Sequence, residues 1–233
     1  MNLPLALAVA FVLGNSVYLY FSGPRFATRY PKARVPAPAS LAWGALVAGV
    51  AALYAASLLT PSSGNLLEPW WGSGVAGALS SQVSIGWLSL LIDARAHRLP
   101  SELTKVMALQ SLAAWGLTWV IAGASLRGVV APALGALLWV LPLLLGARLG
   151  QVGKGDVKLA PVLGFGLATM SVPAALVGLA LSLLLAGVGA MRLKTRGASR
   201  SARFALGPYL IIGSWCAWGI GVVVPLLASL QGV

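Results

Sequence analysis

Carboxylates are nearly missing from this chain. Four Asp and Glu stand against sixteen Lys and Arg in 233 residues, a formal charge of +12, and only two of the four, Asp93 and Asp156, are aspartates. A single cysteine, Cys216, excludes an internal disulfide and any metal site built from several cysteines of one chain. It reads as a small hydrophobe within the last apolar run. The single histidine, His97, has only acids as possible co-ligands, so it reads as a loop residue and no metal is expected. Charged residues of both signs make up 9% of the chain, where a soluble domain carries about 25%. A soluble globular domain is therefore excluded. The start, Met1-Asn2-Leu3-Pro4, puts no positive residue ahead of its apolar run, so that run is expected as a retained span and not as a cleaved signal.

What the chain does have is apolar length: 59% hydrophobic residues and a mean hydropathy of +0.90. Runs of about 20 apolar residues match a hydrocarbon core of about 30 Å. Lipid offers no partner to backbone N–H and C=O groups, so each run should be helical. The expected fold is an all-α polytopic membrane protein of eight helices: Leu3 to Phe21, Ser40 to Thr60, Gly72 to Ile92, Lys105 to Ala124, Gly128 to Ala147, Val157 to Thr169, Val172 to Met191 and Ala205 to Leu230. Ser101 is expected to cap the fourth helix, which Glu102 starts, and Glu68 to lie in an external loop. The nine tryptophans read as interfacial anchors and packing.

The basic residues fix an orientation. Arg25, Arg29, Lys32 and Arg34 follow the first run; Arg95, Arg98 and Lys105 follow the third; Arg148, Lys154 and Lys158 follow the fifth; and Arg192, Lys194, Arg196, Arg200 and Arg203 follow the seventh. All fall on one side, and only Arg127, after the fourth run, falls on the other. By the positive-inside rule that side is cytoplasmic and both termini face out. The positive charge is thus a topology signal that calls for no nucleic acid, and the cluster from Arg192 to Arg203 suits anionic headgroups. The stretch Val157 to Met191 has two readings, one long helix or two short ones. A single crossing would carry the cluster after Met191 outside, so a hairpin turning near Ser171-Val172-Pro173 is expected, where proline also opposes a continuous helix.

Asp93 then closes the third span and Asp156 opens the sixth, both at the cytoplasmic face. An acid placed against lipid is costly, which makes acids at such positions functional candidates. Two carboxyls sharing a site resist double ionisation: at about 4 Å and an effective dielectric of 20 the repulsion is about 4 kcal/mol, or about 3 pKa units. One stays protonated. The ionised member can take a proton from an attacking water while the protonated member donates to the developing oxyanion. Gly153 and Gly155 would let the backbone bend tightly and approach an extended substrate. Lys154 and Lys158 either lower nearby carboxyl pKa values or hold the loop at lipid headgroups.

The motifs carrying these residues resemble the type IV prepilin peptidases, membrane aspartyl proteases of the Gly-x-Gly-Asp type related to the preflagellin peptidases. Gly153-Lys154-Gly155-Asp156-Val157-Lys158-Leu159 is similar to the family's Gly-x-Gly-Asp-x-Lys-Leu signature. Asp93 through Thr104 is similar to its first aspartate, basic turn and Ile-Pro-Asn, with Ser101 in place of Asn. Ala205-Leu206-Gly207-Pro208-Tyr209 more weakly echoes its Pro-Phe-Gly-Pro-Phe. The resemblance implies a six-helix peptidase core over 72–233, preceded by two helices with a basic loop in 1–71. It implies Asp93 and Asp156 as the catalytic pair, no cofactor, and cleavage of the short leader of prepilin-like precursors after a glycine. Bifunctional members carry paired Cys-x-x-Cys motifs in an N-terminal segment and also N-methylate their product. This chain has only Cys216, so the resemblance implies a peptidase and gives methylation no support.

Two other readings stand beside it. A presenilin-like protease would place Pro-Ala-Leu after its second aspartate, whereas Pro132-Ala133-Leu134 precedes Asp156. A transporter would hold its ionisable groups near the bilayer midplane, and an assembly scaffold would tolerate loss of either aspartate.

Overall fold

The computed structural model describes residues 3–59, 68–122, 126–195 and 204–230. Its described residues form eight α-helices and no strand: α1 (Leu3–Arg29), α2 (Pro38–Leu59), α3 (Glu68–Ala96), α4 (Ser101–Ala122), α5 (Leu126–Arg148), α6 (Lys154–Met170), α7 (Val172–Thr195) and α8 (Gly207–Leu230), with one turn of 3-10 helix at Pro31–Ala33. Arg196, Arg200 and Arg203 of the basic cluster lie outside the described residues, as do Thr60 and the 123–124 end of the expected fourth helix.

Several boundaries differ from the sequence expectation; most differences lengthen a helix, while α8 begins at Gly207 and not at Ala205. α1 runs on past Phe21 through Pro24 to Arg29, so Arg25 and Arg29 are helical and not in a loop. Pro24 removes one intrahelical N–H, but Phe26 in the added turn is buried in the core, and that packing outweighs the lost bond. α3 and α6 likewise extend to include Asp93 and Asp156. Glu68 opens α3 and does not lie in a loop, and Arg127 falls inside α5. Ser101 is the first residue of α4 and not the residue before it, because the Thr104 N–H donates to the Pro100 carbonyl.

The expected hairpin is present. Ser171 is extended (φ −168°, ψ 153°), ends α6, and its Oγ accepts the Ala174 N–H at 3.1 Å. The serine thereby caps the N-terminus of α7.

α6 is the central element and packs on α3, α4, α5, α7 and α8. Small residues let it do so. A side chain on Gly164 would run into the Gly135 carbonyl of α5 and the Trp139 ring. One on Gly166 would occupy the place of the Gln82 amide of α3, whose Nε2 donates to the Val162 carbonyl at 2.8 Å. Trp139 is fully buried and donates to the Ala175 carbonyl at 2.8 Å, making it a core residue and not an interfacial anchor. α1 and α2 lie against α3 and share the same hydrophobic core through Leu19, Phe26 and Leu41. Cys216 lies in α8, on its exposed side.

The outward face is apolar: Phe21, Val120, Leu145 and Leu184 are all well exposed. Among the described residues, two helices, α5 over Val130–Arg148 and α7 over Val172–Thr195, are long and apolar enough to cross a membrane, with mean hydropathies of 2.1 and 2.2.

Candidate active site

Asp93 lies in the last turn of α3, beyond the apolar part of that helix. The helix stops because His97 takes the left-handed conformation (φ 49°) while its N–H donates back to the Asp93 carbonyl at 2.9 Å. This is a C-terminal cap made by a residue other than glycine. The side chain of Asp93 is 5% exposed.

Asp156 approaches from the α5–α6 connection. That connection needs a left-handed residue at Gly150 (φ 72°), where glycine carries no penalty. Gly153 is the extended N-cap of α6, which places Asp156 at the third helical position. From there the carboxyl turns back over the cap, and the Gly153 backbone N–H donates to it. This is the returning half of a capping box, with glycine in the place of the usual hydroxyl residue. The two glycines of the motif have separate jobs. A side chain on Gly153 would lie 3.0 Å from Asp156 Oδ2, while one on Gly155 would lie 3.1 Å from the Leu99 Cβ. Gly155 thus lets the first turn of α6 close on the segment that follows α3, drawing Asp156 toward Asp93.

The third component is the first residue of α8. A methyl group on Gly207 would lie 2.5 Å from Asp93 Oδ2 and 3.3 Å from Asp156 Oδ1. The two carboxyl oxygens are therefore no further apart than the sum of those lengths, although 63 residues separate them in sequence. The Gly207 N–H acts on both carboxyls, and the positive end of the α8 dipole faces them.

Burial raises both carboxyls above the ordinary aspartate range. For Asp93 the His97 side chain and then the Gly207 N–H partly oppose that rise. Asp156 is pushed up to about 7, first by burial and then by the Asp93 charge, against the Gly153 and Gly207 N–H groups. Asp93 Oδ2 is buried without a hydrogen-bond partner of good geometry among the described residues, an exception of the kind that marks reactive groups. A pair of this kind holds one proton, one carboxyl serving as base and the other as acid.

The carboxyls open into a cavity of about 910 Å³ whose walls include Tyr30, His97, Gln151, Lys154 and Phe204. Tyr30, His97, Gln151 and Phe204 come from the α1–α2, α3–α4, α5–α6 and α7–α8 connections and Lys154 opens α6, so all four connections gather at one end of the bundle. Two further bonds tie that end together: Arg95 Nη1 donates to the Ala33 carbonyl at 2.7 Å, and Arg29 pairs with Glu102 at 2.6 Å.

Of the six site residues expected from sequence, Asp93, Gly153, Gly155 and Asp156 converge. Lys154 and Lys158 are exposed, and neither is among the groups that shift the carboxyls. Lys154 lines the cavity, while Lys158 lies on the neighbouring groove. Two residues gain weight over the sequence reading. His97, read as a loop residue, is the main group opposing the rise of Asp93, and its spacing of four residues from Asp93 was the available signal. Gly207, present only in the weakest motif, touches both carboxyls.

Neither the curated proteins nor the solved structures contain a match to this chain. Residues 81–191, which hold both aspartates, match the model of the type IV leader peptidase family.

Proposed function

We propose that this protein is a membrane aspartic endopeptidase that removes the short leader of type IV prepilin-like precursors at the cytoplasmic face, with Asp93 and Asp156 as its catalytic pair. The observation that carries this reading is that the two aspartates, both inside the 81–191 stretch that matches a peptidase family, meet at Gly207 of α8. The apolar outer face and the hydropathy of α5 and α7 support a multi-pass placement. The basic connections gather around the cavity, which favours its cytoplasmic orientation.

In this mechanism the extended leader lies in the 910 Å³ cavity with its scissile carbonyl against the protonated carboxyl. The ionised carboxyl takes a proton from water as the water oxygen attacks the carbonyl carbon. The other carboxyl donates its proton to the developing oxyanion, and the tetrahedral intermediate collapses with proton transfer to the leaving amine. Gly207 N–H holds the pair in place throughout. The peptidase core is 72–233; the leading helices of 1–71 add Tyr30 to the cavity wall.

The test is the N-terminal mass of a prepilin-like precursor co-expressed with wild type, Asp93→Asn or Asp156→Asn at matched membrane levels. The expected outcome is trimming by the wild type alone. Equal trimming by either variant would remove the two-carboxylate mechanism.

A further inference from the structure

Beside the carboxyl cavity lies a second opening of different character, a groove of about 410 Å³ between α4 and α5 with α6 as its floor. Its origin is a packing gap. α4 and α5 are consecutive and each packs on α6, yet among the described residues they scarcely touch each other. Ala122 ends α4 and Leu126 begins α5, so the chain holds those two ends within a few residues' reach. The lining runs from Ser101 and Lys158 to Leu112 and Phe165, so the gap lies in the half of these helices nearer the carboxyls. At its inner end the groove is bounded by Phe165, against which Trp115 packs edge-on at 5.9 Å.

The residues along the groove form two helical stripes. On α4 they recur from Ser101 through Lys105 and Ala108 to Leu112, and on α6 from Lys158 through Pro161 to Phe165. Both follow the three- and four-residue spacing of a single helix face. The α4 stripe is about 16 Å long at 1.5 Å per residue. Small side chains at Ala108, Ser111 and Ala136 keep the slot open. Charge occurs only at the mouth, as Lys105 and Lys158, and neither makes an ion pair among the described residues. Ser101 lines both this groove and the carboxyl cavity, so a polar chamber that suits an extended peptide passes directly into an apolar slot that suits a helix.

The geometry points to the α4–α5 groove as the docking site for the apolar helix of the substrate, the segment that begins just after the scissile bond. This inference rests on the proposed peptidase function and adds to it which helices receive the substrate. A precursor seated there crosses Ser101 and leads its N-terminal peptide into the cavity. The substrate helix completes the packing that α4 and α5 leave undone, so recognition is by apolar shape and asks for no particular side-chain sequence along the helix.

The experiment uses a designed precursor consisting of a short leader ending in glycine followed by an apolar helix of about 20 residues. Ala108→Trp and Ala136→Trp fill the groove, and Leu184→Trp puts the same side chain on the exposed face of α7. The expected result is a loss of about tenfold or more in kcat/KM, mainly in KM, for the two groove variants and no loss for Leu184→Trp. In parallel, an Asp156→Asn, Cys216→Ser protein carrying one cysteine at position 108, 136 or 184 is oxidised with precursors bearing one cysteine in the helix. Cross-links should form from 108 and 136 and not from 184, a readout that survives if a tryptophan variant fails to fold. Wild-type rates in both groove variants, or cross-links from 184 in place of 108 and 136, would overturn the docking site while the wild type still cleaves in an aspartate-dependent manner. Absence of aspartate-dependent cleavage by the wild type would instead overturn the peptidase reading and the docking site with it.

Discussion

Gly207 lies so close to Asp93 that a methyl group on its Cα would stand 2.5 Å from Asp93 Oδ2, inside van der Waals contact. The first turn of α8 is therefore fitted to the carboxyl pair, and the absent side chain is a requirement of the site. Gly207→Ala should displace Asp93, Asp156 or both. A misplacement of about 1 Å in a reacting group costs on the order of 100-fold, so cleavage of a precursor should fall by about that factor while the protein still inserts and unfolds cooperatively. Activity within about twofold of wild type would mean that α8 is not fitted to the pair.

Catalysis by a one-proton pair has a defined pH window. Asp156 sits at about 7 in the folded protein, so the pair loses its remaining proton as pH rises through that value. The rate should fall there, and it should fall again on the acid side when both carboxyls are protonated. The check is kcat/KM against pH; a profile flat from about 6 to about 9 would exclude the shared proton.

Stability runs in a definite direction too. The folded pKa of Asp156, about 7, lies above the unfolded value of about 3.9, so the folded state binds the proton more tightly. The contribution of this group is fully present below about pH 4 and is lost as pH rises through 7. Asp156→Asn, which cannot ionise, should melt above wild type at about pH 8 and alongside it at about pH 4. Equal melting temperatures at both pH values would show that the carboxyl is not desolvated.

Gly166 tests the crossing that sets the height of α6. Its missing side chain makes room for the Gln82 amide. Gly166→Ala should destabilise the protein by about 1–3 kcal/mol through overpacking, read by thermal unfolding in detergent. Gln82→Ala, Gly166→Ala should recover part of that loss, since the double variant removes the clash along with the Gln82 bond to Val162.

The one ion pair among the described residues, Arg29 with Glu102, is formed by side chains 62% and 56% exposed. Screening and side-chain entropy leave such pairs little net worth. Glu102→Gln should change stability by less than about 1 kcal/mol and leave cleavage near wild type. A larger loss of activity would assign Arg29 or Glu102 to substrate binding.

The eight-helix pattern, the turn at Ser171 and the single end that collects the basic connections were legible because each follows from local properties: apolar run length, a proline two residues into α7, and the spacing of Lys and Arg. Asp93 and Asp156 were legible because acids are so scarce in this chain. The boundaries near the site were less so. Asp93 and Asp156 were placed at the edges of their helices, yet the helices include both, since the His97 and Gly153 caps are backbone conformations with no hydrophobic periodicity to mark them.

By itself, then, the sequence determined an all-helical chain with two isolated carboxyls at one end, one of them, Asp156, preceded by the glycines of a recognisable motif. Only the tertiary structure decided that those carboxyls share a site, that Gly207 presses on both, that His97 and not a lysine acts on Asp93, and that α4 and α5 part to leave a groove. The reason is range. Helix formation and charge placement are set within a few residues of the chain, whereas the depth at which α6 settles depends on Gly135, Gly164, Gly166 and Gln82 meeting from three different helices, and that depth is what carries Asp156 to Asp93.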